Sequence, residues 1–343
     1  MERKIIHVVG TGTIGEPLIG LLCDYKDQLG IDEVTYHKNS ALKNDRSKVF
    51  DLTGRGARLA VDYGKEKEFK KLGMEPELEA EESIKRSTVV IDCTPRGIGH
   101  NKLNYYEKFK DSVRGFLAQG SEDGFGKKYA RGINDSCLDV KDQYIQVVSC
   151  NTHNISCITK TIAMHENFDN FIEGRYVCIR RANDLSQPTN FIPSPQVNAH
   201  ISDKYGSHHA ADAAALFSTM GKEINVFSSV MKVNSQYMHV LWFNLKLREP
   251  VTLNDVKERL YANSLVAMTT KDLTSTVFSF GRDHGHYGRI MNQTVVVEQS
   301  LNVLNEHEVS GFCFTPQDGN SLLSSAAATL HGVHGEEYLS KME

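Results

Sequence analysis

The sequence predicts an α/β chain in two parts: a doubly wound N-terminal half and an α+β C-terminal half with a mainly antiparallel sheet. Three observations carry this. A β-branched run, Ile5 to Val9, passes through a glycine turn into a stretch with helical period at Leu18, Leu21 and Leu22. Short apolar strands then alternate with other stretches as far as Val148. After Ser149 the strands become longer and alternate apolar with polar residues. A chain of 343 residues is long enough for two domains of about 150 residues each.

In order along the chain, the strand Ile5–Val9 is followed by a second at Glu33 to Tyr36 and a third at Ser87 to Cys93. The third is apolar on both faces, as buried parallel strands are. Between about Asn39 and Glu82 charge is dense and no periodicity stands out. Strands at Gly115 to Ala118 and Tyr144 to Val148 complete the first half, giving a domain over 1–148. The second domain, 149–315, contains strands at Arg175 to Ile179, Lys222 to Phe227 and Met238 to Leu247. Residues 316–343 include the small-residue run Ala326 to Ala328 of a final helix.

Composition excludes several classes. Apolar residues make up 40% and charged residues 24%, an ordinary globular balance. Lysine and arginine number 39 against 43 acids, so no global positive field holds nucleic acid, and any phosphate must be caught locally. The N-terminus lacks a signal-peptide pattern and no apolar run is long enough to span a membrane. Seven cysteines without a CxxC pair fit neither a disulfide framework nor a thiolate zinc site, so a reducing, cytoplasmic setting and no metal are expected.

Gly10-x-Gly12-x-x-Gly15 stands between a strand and a helix, the context in which this pattern marks a Rossmann dinucleotide site. The first glycine allows the tight turn, the second lets the backbone approach a pyrophosphate, and the third lets helix and strand pack. The alternative is a glycine-rich turn without a ligand. An NAD site places an acid at the end of the second strand, on the ribose 2′-hydroxyl. Here the chain reads Thr35-Tyr36-His37-Lys38-Asn39, with no acid and two potential cations, which favours NADP over NAD. Otherwise Lys38 is a solvated surface lysine.

Ser149-Cys150-Asn151-Thr152 follows a strand and precedes Ile155, Ile158 and Ile162 at helical spacing. Cys150 therefore falls in the first turn of a helix, where unpaired N–H groups and the helix dipole favour a thiolate. The competing reading is a small buried apolar residue, which Cys23, Cys93 and Cys178 receive.

The chain resembles the archaeal-type phosphorylating glyceraldehyde-3-phosphate dehydrogenases. The matching stretches are Gly10 to Gly15, Ile91 to Gly99, Gln119-Gly120, Val147 to Thr152, Ile179 to Ala182, Ser207 to His209, Met238 to Val240 and Leu273 to Thr276. They keep the family's order. The resemblance implies Cys150 as nucleophile and His239 as general base, with a thioester on Cys150 cleaved by inorganic phosphate to an acyl phosphate. A histidine near its usual pKa of about 6.5 suits that role; without the match, His239 reads as a structural histidine on a sheet.

It also implies cofactor contacts at Gly10, Gly12, Thr13, Ile14, Gly15, His37, Lys38, Thr94, Pro95, Gly120 and Gln317. Substrate and phosphate fall to Ser149, Asn151, Thr152, Arg180, Arg181, His208 and His209. Adjacent strand residues face opposite ways, so both arginines serve only if their strand ends near Ile179. A final helix returning to the cofactor domain, a homotetramer, and a place in glycolysis and gluconeogenesis complete what the resemblance implies.

Departures bear on the substrate. The family commonly continues Thr-Gly after Ser-Cys-Asn-Thr, where this chain has His153-Asn154; Ser121 replaces a glycine, and Pro316-Gln317-Asp318 replaces a His-Gln-Glu-Ser stretch. Rival readings are a relative that uses another phosphorylated aldehyde or another acyl acceptor, and a non-catalytic nucleotide-binding sensor.

Overall fold

β1 (Ile5–Val9) is buried along its whole length, as its β-branched sequence requires of a strand covered on both faces. Its one polar residue, His7, is accommodated by the Thr35 and Ser83 hydroxyls at 2.7 and 2.9 Å from Nδ1. The computed structural model describes residues 3–120, 122–183, 189, 191–316 and 319–342. They form two compact units: Met1–Tyr129 with Leu138–Val147 and Ser324–Glu343, and Ala130–Cys137 with Val148–Leu323.

The remaining strands of the first unit are β2 (Glu33–His37), β3 (Arg58–Val61), β4 (Leu78–Glu79), β5 (Val89–Asp92), β6 (Gly115–Gln119), β7 (Lys127–Tyr129) and β8 (Tyr144–Val147). Among the described residues they form one sheet in the order β4-β3-β2-β1-β5-β6-β8-β7, with every pair parallel. The order reverses between β1 and β5, so a crevice opens at their carboxyl ends, the usual ligand position of such sheets. The charged stretch between Asn39 and Glu82 is part of the same alternation, with helices at Arg46–Gly54, Glu66–Lys71 and Ala80–Lys85 around β3 and β4.

The second unit carries β9 (Phe171–Arg180), β10 (Gln196–Val197), β11 (Val226–Lys232), β12 (His239–Leu247), β13 (Val266–Thr269), β14 (Thr294–Val297), β15 (Asn302–Leu304) and β16 (Glu308–Thr315). Their order is β10-β11-β9-β12-β16-β14-β13, with β15 beside β16. The sheet is mixed but mainly antiparallel: β11 on β9 and β13 on β14 run parallel. The strand expected at Lys222 to Phe227 begins instead at Val226. Register with β9 fixes its start opposite Gly174, while the Lys222 N–H closes the preceding helix on Phe217 O.

One face of this sheet is covered by the helix Cys150–Ile158, its π-helical continuation Thr159–Met164, and the helix His208–Ser218. Ile155, Ile158 and Ile162 pack there with Cys178, Leu241, Phe243 and Leu245, all buried. No helix of the described residues is long and apolar enough to cross a membrane.

Candidate active site

In the first unit the glycine loop has the shape that its sequence implies. Gly10 has φ of 96°, a left-handed value that a side chain opposes. A Cβ on Gly15 would stand 2.1 Å from Gly10 O, whereas one on Gly12 would meet nothing within 4 Å. The loop is thus tight where the helix Gly15–Asp24 meets the strand, and open at Gly12, where a pyrophosphate needs backbone. Thr13 and Ile14 lead into that helix. A cavity of about 630 Å³ adjoins the loop, lined by Gly10, His37, Asn39, Thr94, Pro95 and Ile98 among others. Its size and its mixed apolar and polar wall fit a nucleotide.

Thr94 is positioned by Asp92, whose Oδ1 accepts from the Thr94 N–H at 2.9 Å and from its hydroxyl. The second oxygen of Asp92 accepts from Tyr106 OH at 2.5 Å and Lys102 Nζ at 3.3 Å, so a carboxylate that is nearly fully buried is satisfied. Gly120 follows β6 with φ of 76°, and its carbonyl accepts from Gln146 Nε2 at 2.9 Å. Gln317 lies outside the described residues.

Two expectations for the end of β2 need correction. His37 is not an available cation: its Nε2 is 2.9 Å from Asp62 Oδ1, and burial holds its pKa below the usual value despite that carboxylate. Lys38 is not a solvated lysine either. It is 8% exposed, and its Nζ stands 2.6 Å from Asp45 Oδ2. Sequence reading missed Lys48, whose Nζ donates to Thr11 O at 2.9 Å and stands 3.1 Å from Glu16. Its signal was buried in a charge-rich stretch without visible period.

In the second unit Cys150 occupies the first position of its helix, half-buried and without a disulfide. Its carbonyl accepts from Asn320 Nδ2 at 2.9 Å. Asn151 Nδ2 donates to His209 Nε2 at 3.3 Å, and Asn151 Oδ1 accepts from the Thr315 hydroxyl at 3.2 Å. Thr315 pairs with His239 across β12 and β16. Cross-strand partners share a face, so His239 stands on the side of the sheet turned to the Cys150 helix. The β9 register, with Val240 opposite Ile179, sets Arg180 beside His239 on that face. The structure therefore gathers Cys150, Asn151, His209, His239 and Arg180.

β9 ends at Arg180, so Arg181 is free of strand geometry. Its backbone N–H donates to His239 Nδ1 at 2.9 Å, while its side chain is buried. Arg180 Nε is buried with no hydrogen-bond partner among the described residues. The Ser149 and Thr152 hydroxyls are 2.9 Å apart, and the His208 and His209 rings lie 3.9 Å apart at the start of their helix.

The electrostatic premise for His239 also changes. Burial, then Arg181 and Arg180, hold its pKa well below the usual histidine value. A backbone N–H can only donate, so Nδ1 is an acceptor and the proton of the neutral ring sits on Nε2. Neutral His239 thus offers an N–H rather than a lone pair to whatever approaches Nε2.

The departures His153 and Asn154 are fully buried. His153 Nδ1 donates to Ser149 O at 3.0 Å, and burial pushes its pKa down to about 4. Asn154 Nδ2 donates to Thr315 Oγ1 at 2.8 Å and its Oδ1 accepts from the Cys313 thiol at 3.2 Å. Neither lines an open anion site, contrary to the reading from sequence: Asn154 is turned to β16, and His153 folds back onto the Ser149 carbonyl. Cys157 and Cys313 have thiols pushed up to about 12 by burial, and Cys178 is raised further by the same cause. Among the described residues no group of three metal-ligating side chains is placed to hold an ion.

No protein-family model matches the chain. It is 25% identical over 309 residues to glyceraldehyde-3-phosphate dehydrogenase 1 of Methanosarcina barkeri, covering 88% of this chain and 85% of that one. Identity is 26% over 313 residues with the glyceraldehyde-3-phosphate dehydrogenase of Sulfolobus acidocaldarius, covering 88% of this chain and 84% of the relative. The enzyme of the same name from Methanobacterium bryantii is 28% identical over 323 residues, covering 88% and 86% of the two chains. Several such archaeal relatives along nearly the whole length, together with the parallel sheet and the mixed sheet, support an archaeal-type glyceraldehyde-3-phosphate dehydrogenase family for this chain.

Proposed function

We propose that this protein is a phosphorylating glyceraldehyde-3-phosphate dehydrogenase that prefers NADP. The observation that carries the reading is the face shared by His239, Arg180 and Thr315, turned to the helix that Cys150 begins. The Cys150 thiolate, favoured by the first-turn N–H groups, adds to the aldehyde carbon. The carbonyl oxygen becomes an alkoxide, and the His239 Nε2–H donates to it. This replaces proton acceptance by His239, since Arg181 occupies Nδ1. The bound nicotinamide supplies a hydride acceptor, which leaves a thioester on Cys150. Phosphate then attacks the thioester carbon, the C–S bond breaks, and the thiolate is regenerated. Arg180, with its orphan Nε, and His208 and His209 are the groups offered to the two phosphates. The burial of His153 and Asn154 supports glyceraldehyde 3-phosphate as the aldehyde.

Following the reduced cofactor with glyceraldehyde 3-phosphate tests this reading, with phosphate present or omitted. Multiple turnovers are expected only with phosphate. Sustained turnover without it would mean that water or another acceptor releases the acyl group, and silence in both arms would favour a binding protein.

NADP preference rests on Lys38 and Lys48, which converge on Asp45 at 2.6 and 4.0 Å beside the glycine loop. A 2′-phosphate would share both ammonium groups. Because Lys38→Glu would press two carboxylates together, Lys38→Gln and Lys48→Gln are the cleaner variants. Charge-assisted hydrogen bonds contribute about 1.5–3 kcal/mol, so each should weaken NADP by about tenfold or more and leave NAD nearly unchanged. An unchanged NADP-to-NAD ratio in direct binding titrations would restrict both lysines to holding Asp45.

Assembly as a homotetramer is supported by the sheet face opposite the Cys150 helix. Val177, Trp242 and Phe312 form a cross-strand row there, and Phe312 is 40% exposed. Sedimentation at the mass of one chain would exclude it. Seven cysteines without a disulfide support a reducing, cytoplasmic setting.

A further inference from the structure

We propose that Asn320 is a positioning residue for the nucleophile, its side-chain amide holding the first turn of the Cys150 helix in the geometry that acylation needs. The inference rests on the reading of Cys150 as the attacking group. Ser149 stands at the N-cap of the helix Cys150–Ile158, yet its side chain makes no capping bond and its hydroxyl faces Thr152 Oγ1 at 2.9 Å. Helix ends fray from the terminal residue inward, and here that residue is Cys150 itself.

Asn320 supplies a restraint from 170 residues further along the chain. It is the second residue of the helix Gly319–His334 and is fully buried, and its Nδ2 donates to Cys150 O at 2.9 Å and to Gln293 O at 3.2 Å. Backbone carbonyls only accept, so both amide hydrogens are used and the partners fix which end of the amide is nitrogen. The far end of this bridge is itself anchored. Gln293 is fully buried, its N–H donates to Leu265 O at 2.7 Å, its side-chain amide donates to Arg131 O, and β14 begins at the next residue.

The place requires a short primary amide. An aspartate of the same shape would present lone pairs to two carbonyl oxygens, and a serine has one hydrogen and is shorter by one atom. Nor can the helix start shift to accommodate another group. A Cβ on Gly319 would collide with Ile290 O, so the chain at this point is pressed against the backbone that leads into β14.

The consequence for the chemistry follows from where the thiolate is stabilised. The first-turn N–H groups favour it only while they converge on the sulfur, so rotation of the Cys150 peptide lowers the thiolate fraction and moves the sulfur off the line of attack together. A misplacement of about 1 Å at a reacting atom can cost on the order of 10² in rate. Asn151 and Asn154 are tied to β16 through Thr315, whereas Asn320 ties Cys150 to the start of β14. The two ties together fix the helix at its catalytic end.

The test compares the full chain with Asn320→Asp and Asn320→Ser, each normalised to its folded fraction. Alkylation by iodoacetamide across pH, with Cys150→Ser as the blank for the remaining cysteines, reports the thiolate, and single-turnover reduction of NADP by glyceraldehyde 3-phosphate reports acylation. In both variants the alkylation midpoint should move up by about half a pH unit or more, and acylation should fall by about tenfold or more, with Asn320→Asp the worse. Asn320→Ser introduces no charge and carries the test if Asn320→Asp does not fold. A lower melting temperature with a wild-type midpoint and a wild-type acylation rate would make Asn320 purely structural and overturn the proposal. Alkylation needs neither aldehyde nor cofactor. Failure of the dehydrogenase reading, seen as a silent wild type or normal turnover in Cys150→Ser, is therefore distinguishable, and the midpoint then decides the role of Asn320 by itself.

Discussion

Cys150→Ser is expected to keep the fold and the cofactor affinity and to lose turnover by a factor on the order of 10³ to 10⁶. A serine hydroxyl at the same helix start is scarcely ionised at neutral pH, and an alkoxide leaving group would hold the acyl intermediate as a stable ester. Cys157 is the internal control. It is 1% exposed in the same helix, its thiol is pushed up to about 12 by burial, and Cys157→Ala removes one buried sulfur without touching a reacting atom. Steady-state rates and single-turnover cofactor reduction should both fall in Cys150→Ser and persist in Cys157→Ala. Near-normal rates in the first variant, or equal loss in the second, would displace Cys150 from the chemistry.

The second large effect separates two roles for His239. If Nε2–H donates to the alkoxide, His239→Ala removes the donor and should cost about 10²–10³ in single-turnover acylation, while His239→Asn, which keeps a side-chain N–H, should recover part of it. A proton-accepting role predicts equal loss in both, because an amide cannot accept the proton. The pH profile adds an independent readout. Because the folded pKa of His239 is depressed well below 6.5 by burial and by the two arginines, the ring stays neutral as pH falls through 6.5. No histidine limb is therefore expected between about pH 6 and 8, and a limb near 6.5 that vanishes in His239→Asn would refute the donor role.

Stability bounds the acid side of that experiment. His153 has its folded pKa lowered to about 4, so the unfolded chain binds a proton near 6.5 that the folded chain refuses. Its contribution to stability is fully present above about 6.5 and is lost progressively as pH falls toward 4. Rates below pH 6 need normalising to the folded fraction.

The sequence by itself determined what depends on neighbours along the chain. The strand, glycine turn and helix from Ile5 onward were legible because β-branching, left-handed backbone and helical period are local, and the collision of a Gly15 Cβ with Gly10 O lies within the same loop. Placing Cys150 in the first turn of a helix was legible for the same reason: a strand ends at Val147 and apolar residues then recur at helical spacing. The pairing of Ser-Cys-Asn-Thr with Met-His-Val came from the family resemblance.

Tertiary structure alone decided which groups meet and in what charge state. Thr315 and Asn320 join Asn151 and Cys150 from far along the chain, through the register of β16 and the start of the last helix, and neither residue carries a local mark of that role. Lys38 and His37 read as free cations until β3 and the Arg46–Gly54 helix bring Asp62 and Asp45 against them. Arg181 acts on His239 through a backbone N–H, a group that every residue except proline has and that sequence therefore cannot distinguish. Periodicity reports which face of an element is buried, whereas protonation and hydrogen-bond direction depend on the atoms that other elements place against that face.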